Sequence, residues 1–154
     1  MKFEFHKYHG TGNDFIIIDN RDLKLKLNTK QIAHLCHRRF GIGADGLMLL
    51  QNKKGFDFQM VYFNSDGNES SFCGNGSRCI VAFAKGLGVI KKSETTFIAT
   101  DGIHMAKIYG DIISMKMRDV KNIEVDENYY LLNTGSPHYV KFTTGVKSVE
   151  IISE

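Results

Sequence analysis

Ser71-Phe72-Cys73-Gly74-Asn75-Gly76-Ser77-Arg78-Cys79-Ile80-Val81-Ala82-Phe83-Ala84-Lys85 is the stretch around which the rest of the chain must be arranged. Its body, Cys79 to Ala84, is apolar all round, and a helix with no polar face is buried on every side. The pattern predicts a helix from about Cys73 to about Lys85, with Gly86 and Gly88 closing it. Working outward, the flanks read mainly as strands. Phe3 to His9 alternates imperfectly and is broken by Gly10-Thr11-Gly12-Asn13-Asp14; Phe15 to Asp19 is a short apolar strand. Gly46 to Gln51 and Phe56 to Phe63 are further strands around the turn Asn52-Lys53-Lys54-Gly55, with Phe56, Phe58, Met60 and Tyr62 on one face. Asn64-Ser65-Asp66-Gly67-Asn68 is a dense turn signal. Beyond the buried helix, Thr96 to Thr100, Ile103 to Ile108 and Ile112 to Met117 continue as strands.

A second helix is predicted from Thr29 to Phe40. Asn28-Thr29 offers its cap, Ile32, Leu35, Cys36 and Phe40 recur at helical spacing, Arg38 and Arg39 fall in the last turn, and Gly41 supplies the stop. His34 and Cys36-His37 then belong to a partly exposed helix face. The sum is a sheet-rich α+β domain over residues 1–118 with one helix sunk in its centre. Asp119 to Asn128 reads as a polar crossover, and Tyr129 to Glu154 as two strand-like pieces around Gly135-Ser136-Pro137-His138, ending in the interrupted-sheet pattern Val149-Glu150-Ile151-Ile152.

Composition narrows the function. The chain has 154 residues, 42% apolar and 24% charged, with a net charge of +3. That excludes a disordered tail, a collagen-like rod or a disulfide-stapled miniprotein. The basic residues are scattered, so nucleic acid is not an expected partner. No apolar run approaches the roughly 18 residues of a membrane helix. Three cysteines without paired spacing suit reduced thiols, and the cytosol is the expected compartment. Cys73 and Cys79, and the scattered histidines, lack metal-ligand spacing. Gly41-Ile42-Gly43-Ala44-Asp45-Gly46 matches G-x-G-x-x-G formally, but a helix precedes it and a strand follows, the reverse of a dinucleotide loop. It reads as a flexible helix-to-strand connection.

The start of the buried helix carries the chemistry. A helix N-terminus exposes unpaired N–H groups and partial positive charge, which favours anions and a thiolate at Cys73; the same residue reads equally as a buried structural cysteine after a glycine-rich turn. Gly74 and Gly76 have no side chains, so a small substrate can approach the amides closely. Asn13 and Asn64 lie at strand-loop junctions, and an amide both donates and accepts, as recognition of an amino acid requires; taken singly, each reads more readily as an Asx turn than as a binding group.

His9-Gly10-Thr11-Gly12-Asn13-Asp14-Phe15, Phe40-Gly41-Ile42-Gly43-Ala44-Asp45-Gly46-Leu47, Phe63-Asn64-Ser65-Asp66-Gly67 and Cys73-Gly74-Asn75-Gly76-Ser77-Arg78-Cys79 together resemble the diaminopimelate epimerase family in order and interval. The resemblance implies a curved mixed or antiparallel sheet wrapped around a central helix. It implies a cofactor-independent isomerase that interconverts the L,L and meso forms of diaminopimelate, for lysine and peptidoglycan synthesis. The family uses two cysteines, one from each of two similar domains; Cys73 matches the first. By the same resemblance Gly74, Asn75, Asn13 and Asn64 bind the substrate, and no cofactor or metal takes part. The second half of the family's chain is absent, so residues 119–154 are expected to be a crossover and the truncated start of a second domain. A fragment inactive by itself is the first expectation, and a homodimer pairing two Cys73 thiols is a second. A non-catalytic amino-acid-binding module, or a cofactor-free isomerase of another amino acid, is the alternative.

Overall fold

The computed structural model describes residues 2–146 and Val149, and Glu150-Ile151-Ile152 lies outside the described residues. Contacts divide the chain into two units, Met1–Lys116 and Met117–Glu154. The first opens with a hairpin of β1 (His6–Gly10) and β2 (Asn13–Asp19), paired so that Gly10 faces Asn13. Only Thr11 and Gly12 remain for the loop, with φ of 54° and 89°, the positive values of a tight turn whose twist suits paired strands.

Helix α1 (Thr29–Cys36) starts at an Asn28 cap. Asn28 Oδ1 accepts from Gln31 N and Gln31 Oε1 accepts from Asn28 N, both at 2.9 Å, a reciprocal pair that satisfies two otherwise open donors. The helix predicted to reach Phe40 stops at Cys36. His37 turns to ψ 120°, and its Nδ1 accepts from the backbone N–H groups of Arg39 and Phe40, each at 3.1 Å, in competition with a further helical turn. Arg38, Arg39 and Gly41 therefore lie beyond the helix. The chain folds back instead: Ile42 N and Gly43 N donate to Leu35 O at 2.9 and 3.0 Å, and Ala44 N to Cys36 O at 3.0 Å. These bonds take up carbonyls that a helix end leaves open. The glycine-rich connection is thus a hydrogen-bonded loop anchored on α1 rather than a flexible link.

From that loop β3 (Gly46–Gln51) runs parallel to β2, β4 (Gln59–Asn64) returns antiparallel beside it, and β5 (Glu69–Ser70) pairs briefly with β4. The strand expected from Phe56 begins later because the Asp57 carboxylate is engaged elsewhere, accepting from Thr95 Oγ1 at 2.8 Å and Thr96 N at 3.0 Å. Helix α2 (Gly74–Gly86) then leads to β6 (Glu94–Ala99), parallel to β4, and hairpins add β7 (Gly102–Tyr109) and β8 (Ile112–Met115). The sheet order is β1-β2-β3-β4-β6-β7-β8, with β5 on β4.

Helix α2 packs against β1, β2, β3 and β8. Since β1 and β8 are the two ends of that order, the sheet curls around the helix. The central strands are buried on both faces, as their unbroken apolar runs require. Phe15, Ile17, Met48 and Leu50 join Phe58, Met60, Ile80, Val81 and Phe83 in the core around α2. Their neighbours Ile16, Ile18, Leu47 and Leu49 pack with Ile32 and Cys36 under α1. Cys36, expected on a partly exposed face, is 3% accessible because the short helix turns that side onto the sheet.

The second unit contains a three-stranded antiparallel sheet, order β11-β10-β9, from β9 (Ile123–Val125), β10 (Tyr130–Asn133) and β11 (Pro137–Val140). The segment read as a plain crossover contains β9, whose three residues are all exposed and so carry no alternation to signal a strand. Gly135 turns the β10–β11 hairpin at φ 117°, with its N–H donating to Asn133 Oδ1 at 2.8 Å.

Candidate functional site

Cys73 is the N-cap of α2. Its backbone is extended, Ser77 N donates to its carbonyl at 2.8 Å, and Gly76 N points at its sulfur at 3.4 Å. The thiol thus occupies the place usually held by a capping oxygen. The amides of Gly74 and Asn75, the first two of the helix, have no intrahelical acceptor. Across the sulfur lies Asn13, whose Oδ1 is 3.6 Å from Cys73 Sγ and 3.5 Å from Asn75 Nδ2. Three of the residues singled out in the sequence therefore meet at one point, and Cys73 itself is half-buried there.

Asn64 lies elsewhere on the same edge. Strand register sets Phe15 beside Gly46 and Gly46 beside Asn64, so Asn13, Asp45 and Asn64 end up at one end of three adjacent strands. That separates Asn64 from the Asn13 strand by two spacings, about 10 Å. Its backbone binds the following turn, with Asn64 N donating to Asn68 O at 3.0 Å and Gly67 N to Asn64 O at 2.9 Å. Among the described residues, no hydrogen bond joins its side chain to Cys73.

The glycines divide in role. A Cβ on Gly76 would stand 1.9 Å from Met48 Cε and 3.3 Å from Phe15 Cζ, so this glycine opens toward the core, not toward a substrate. Gly10 matters more than its place in a turn suggested: its missing Cβ lets Asn75 approach, since an added one would sit 3.1 Å from Asn75 Cβ and 3.4 Å from Asn75 O. At Gly46 the would-be Cβ is 2.6 Å from both Phe63 O and Tyr62 Cε2, so no side chain fits there.

Sequence reasoning did not find the charged network beside the thiol. Asn13 Nδ2 donates to Asp45 Oδ2 at 2.8 Å, Arg38 Nη2 reaches Asp45 Oδ1 at 2.6 Å and Asp14 Oδ1 at 2.8 Å, and Lys7 Nζ reaches Asp14 Oδ2 at 2.7 Å. Lys7 also donates to the Gly43 carbonyl. Hydrogen bonding from Arg38, then from Lys7, holds the Asp14 carboxyl well below the usual carboxylate range. Asp45 is lowered first by the Asn13 amide, with further help from the Asp14 N–H and Arg38. Arg38 is raised in turn, first by Asp14 and then by Asp45. The other two thiols differ from Cys73 in surroundings: burial pushes both Cys36 and Cys79 up to about 11. Tyr62, beneath the site, is pushed to about 12, mainly by burial.

Comparison with known proteins bears on this arrangement. The diaminopimelate epimerase family profile matches residues 5–122. A diaminopimelate epimerase of Flavobacterium psychrophilum is 56% identical over 153 residues, covering 98% of this chain and 59% of that protein. One of Chlorobaculum tepidum is 35% identical, covering 94% and 59%. The chain thus spans 59% of the length of these relatives. Among solved structures, a probable proline racemase from Agrobacterium radiobacter superposes with a TM-score of 0.62 at 11% identity, over 96% of this chain and 54% of that one. At that identity the likeness is one of fold, a curled mixed sheet around a helix. The profile match takes in the Thr11-Gly12 turn, the loop on α1 and the Cys73 cap together, and with the 56% identity it makes this chain a member of the diaminopimelate epimerase family.

Proposed function

We propose that the chain carries one side of a cofactor-independent amino-acid epimerase site, acting in the cytosol on diaminopimelate, with Cys73 as its acid/base group. The observation that carries the reading is the Cys73 sulfur at the head of α2, between the Gly76 N–H at 3.4 Å and Asn13 Oδ1 at 3.6 Å. In this reading the thiolate takes the α-proton, forming S–H, while the C–H electron pair moves into the substrate carboxylate. The enediolate-like charge that develops there is met by the amides of Gly74 and Asn75 and the positive end of the helix. Asn75 and Asn13 bind the substrate beside the thiol, and Asn64 contacts it from the end of β4, two strands along the same sheet edge. Inversion also needs a proton delivered from the opposite face. Cys36 and Cys79 do not serve, since both are buried in the cores against the sheet. The second group therefore belongs to a second domain, which residues 119–154 begin, or to a second copy of the chain.

The test is deuterium uptake at the α-carbon of L,L-diaminopimelate in heavy water, comparing the chain with its Cys73→Ser variant. Uptake that depends on Cys73 is expected. Equal uptake by both proteins overturns the acid/base role of Cys73, whereas none from folded protein leaves a fragment inactive by itself or an amino-acid-binding module.

A further inference from the structure

Asn13 is held by a group that admits only one orientation of its amide. The Asp45 carboxylate accepts hydrogen bonds and donates none, so the Asn13 atom 2.8 Å from Asp45 Oδ2 must be the nitrogen. The carbonyl oxygen is then the atom turned toward Cys73 Sγ, at 3.6 Å. Asp45 is itself fixed: Arg38 binds its other oxygen at 2.6 Å, and the Asp14 N–H reaches Oδ2 at 3.2 Å. Asp14 is tied to both Arg38 and Lys7, and Lys7 reaches back to the Gly43 carbonyl of the same loop.

We propose that Asp45, locked by Arg38, is a positioning residue that keeps the Asn13 carbonyl facing the Cys73 thiol and so prevents Asn13 from offering its NH2 group there. This rests on the reading of Cys73 as the acid/base group. The consequence is chemical. A carbonyl at that place accepts from S–H and so favours the thiol, whereas an NH2 group would donate to the thiolate and favour the base. The Gly76 N–H supplies the opposing pull from the helix side. Other titratable groups in electrostatic reach of Cys73 are Tyr62 of β4 and Cys79 of α2.

Thiol reactivity reads this directly and needs no substrate. The rate of Cys73 alkylation by iodoacetamide would be followed from pH 6 to 10 in the parent, Asp45→Asn and Arg38→Met, each also combined with Asn13→Ala. Asparagine at 45 satisfies either orientation of Asn13, and loss of Arg38 lets the carboxylate swing away. Both variants should therefore speed alkylation at pH 7 by about threefold in a manner that needs Asn13. Through-space charge alone predicts changes of opposite sign, faster for Asp45→Asn and slower for Arg38→Met, since one substitution removes a negative charge and the other a positive one. Changes of opposite sign that persist with Asn13→Ala, or no change in either variant, would overturn the proposal. Labelling of Cys36 and Cys79 reports unfolding in the same mass spectrum, and should one variant unfold, the other with its Asn13→Ala partner still decides. Because deuterium uptake is measured separately, Asp45 can fail as a positioning residue while Cys73 stands as the acid/base group, and the reverse.

Discussion

Gly41 offers the sharpest perturbation of the loop that carries Asp45. A Cβ added there would lie 2.0 Å from His34 O and 2.7 Å from Leu35 O, both backbone atoms of α1. Ordinary contact begins near 3.4 Å, so loop and helix end would have to part by more than 1 Å. The bonds from Ile42 N and Gly43 N to Leu35 O, now 2.9 and 3.0 Å, would stretch past any useful length. Losing two backbone hydrogen bonds costs about 1 kcal/mol each, and leaving a carbonyl unsatisfied adds roughly 1–2 kcal/mol. Gly41→Ala should therefore destabilise by about 3–4 kcal/mol, against a total of roughly 5–15 kcal/mol for a domain. With urea slopes of about 1–3 kcal/mol per molar, the midpoint should fall by roughly 1–2 M. Gly86→Ala is the matched control. It closes α2 with nothing within 4 Å of the added carbon, and alanine's helix preference should leave it neutral or up to about 1 kcal/mol more stable. Equal midpoints for Gly41→Ala and the parent would refute the reasoning, because they would mean the loop is free to slide away from α1.

Two further outcomes follow from the titrating groups. Asp14 and Asp45 are both lowered in the folded chain, so their contribution is fully present above the unfolded carboxyl value, about 3.9, and drains away as pH falls below it. Urea midpoints should decline below about pH 4, and Asp14→Asn should flatten that decline; an unchanged acid slope would show that the Arg38–Asp14 pair contributes nothing. Cys36 and Cys79 titrate near 11 when folded, so their contribution is intact below the unfolded thiol value, about 8.5, and is lost as pH climbs toward 11. Brief iodoacetamide treatment at pH 8 should label Cys73 alone, with the other two reacting only in urea, and native labelling of Cys36 at the rate of Cys73 would contradict the buried placement.

The two helices show what the sequence made legible. The body of α2 is apolar on every side, a one-dimensional signal that needs no partner to interpret, and its observed span Gly74–Gly86 sits within a residue or so of the predicted one. The bounds of β3 were equally plain, because Gly46 and the turn after Gln51 punctuate an unbroken apolar run. For α1 the spacing of Ile32, Leu35, Cys36 and Phe40 is genuine helical periodicity, yet the helix stops four residues early. Nothing local marks His37 as an acceptor for Arg39 and Phe40 N–H, and nothing local shows that Arg38 will be drawn to Asp14, 24 residues earlier. Phe40 completes the pattern in sequence and stands 75% exposed in the structure.

The site is divided in the same way, and the division explains why its motifs are short and scattered. The place of Cys73 at a helix start was legible because the apolar body of α2 marks where that helix begins. The rest depends on register. With β2 and β3 parallel and Phe15 beside Gly46, the residue just before each pair, Asp14 and Asp45, falls at the same sheet end, and the Asp45 N–H bonds Asp14 O at 3.0 Å. A slip of one residue would turn Phe15 out of the α2 core and carry Asp14 away from Arg38 at once. The apolar residues that fill the core thus also fix the charged pair that orients Asn13. Gly76 belongs to this logic as well, since its contact with Met48 and Phe15 sets how deeply α2 sinks and therefore where Cys73 meets Asn13.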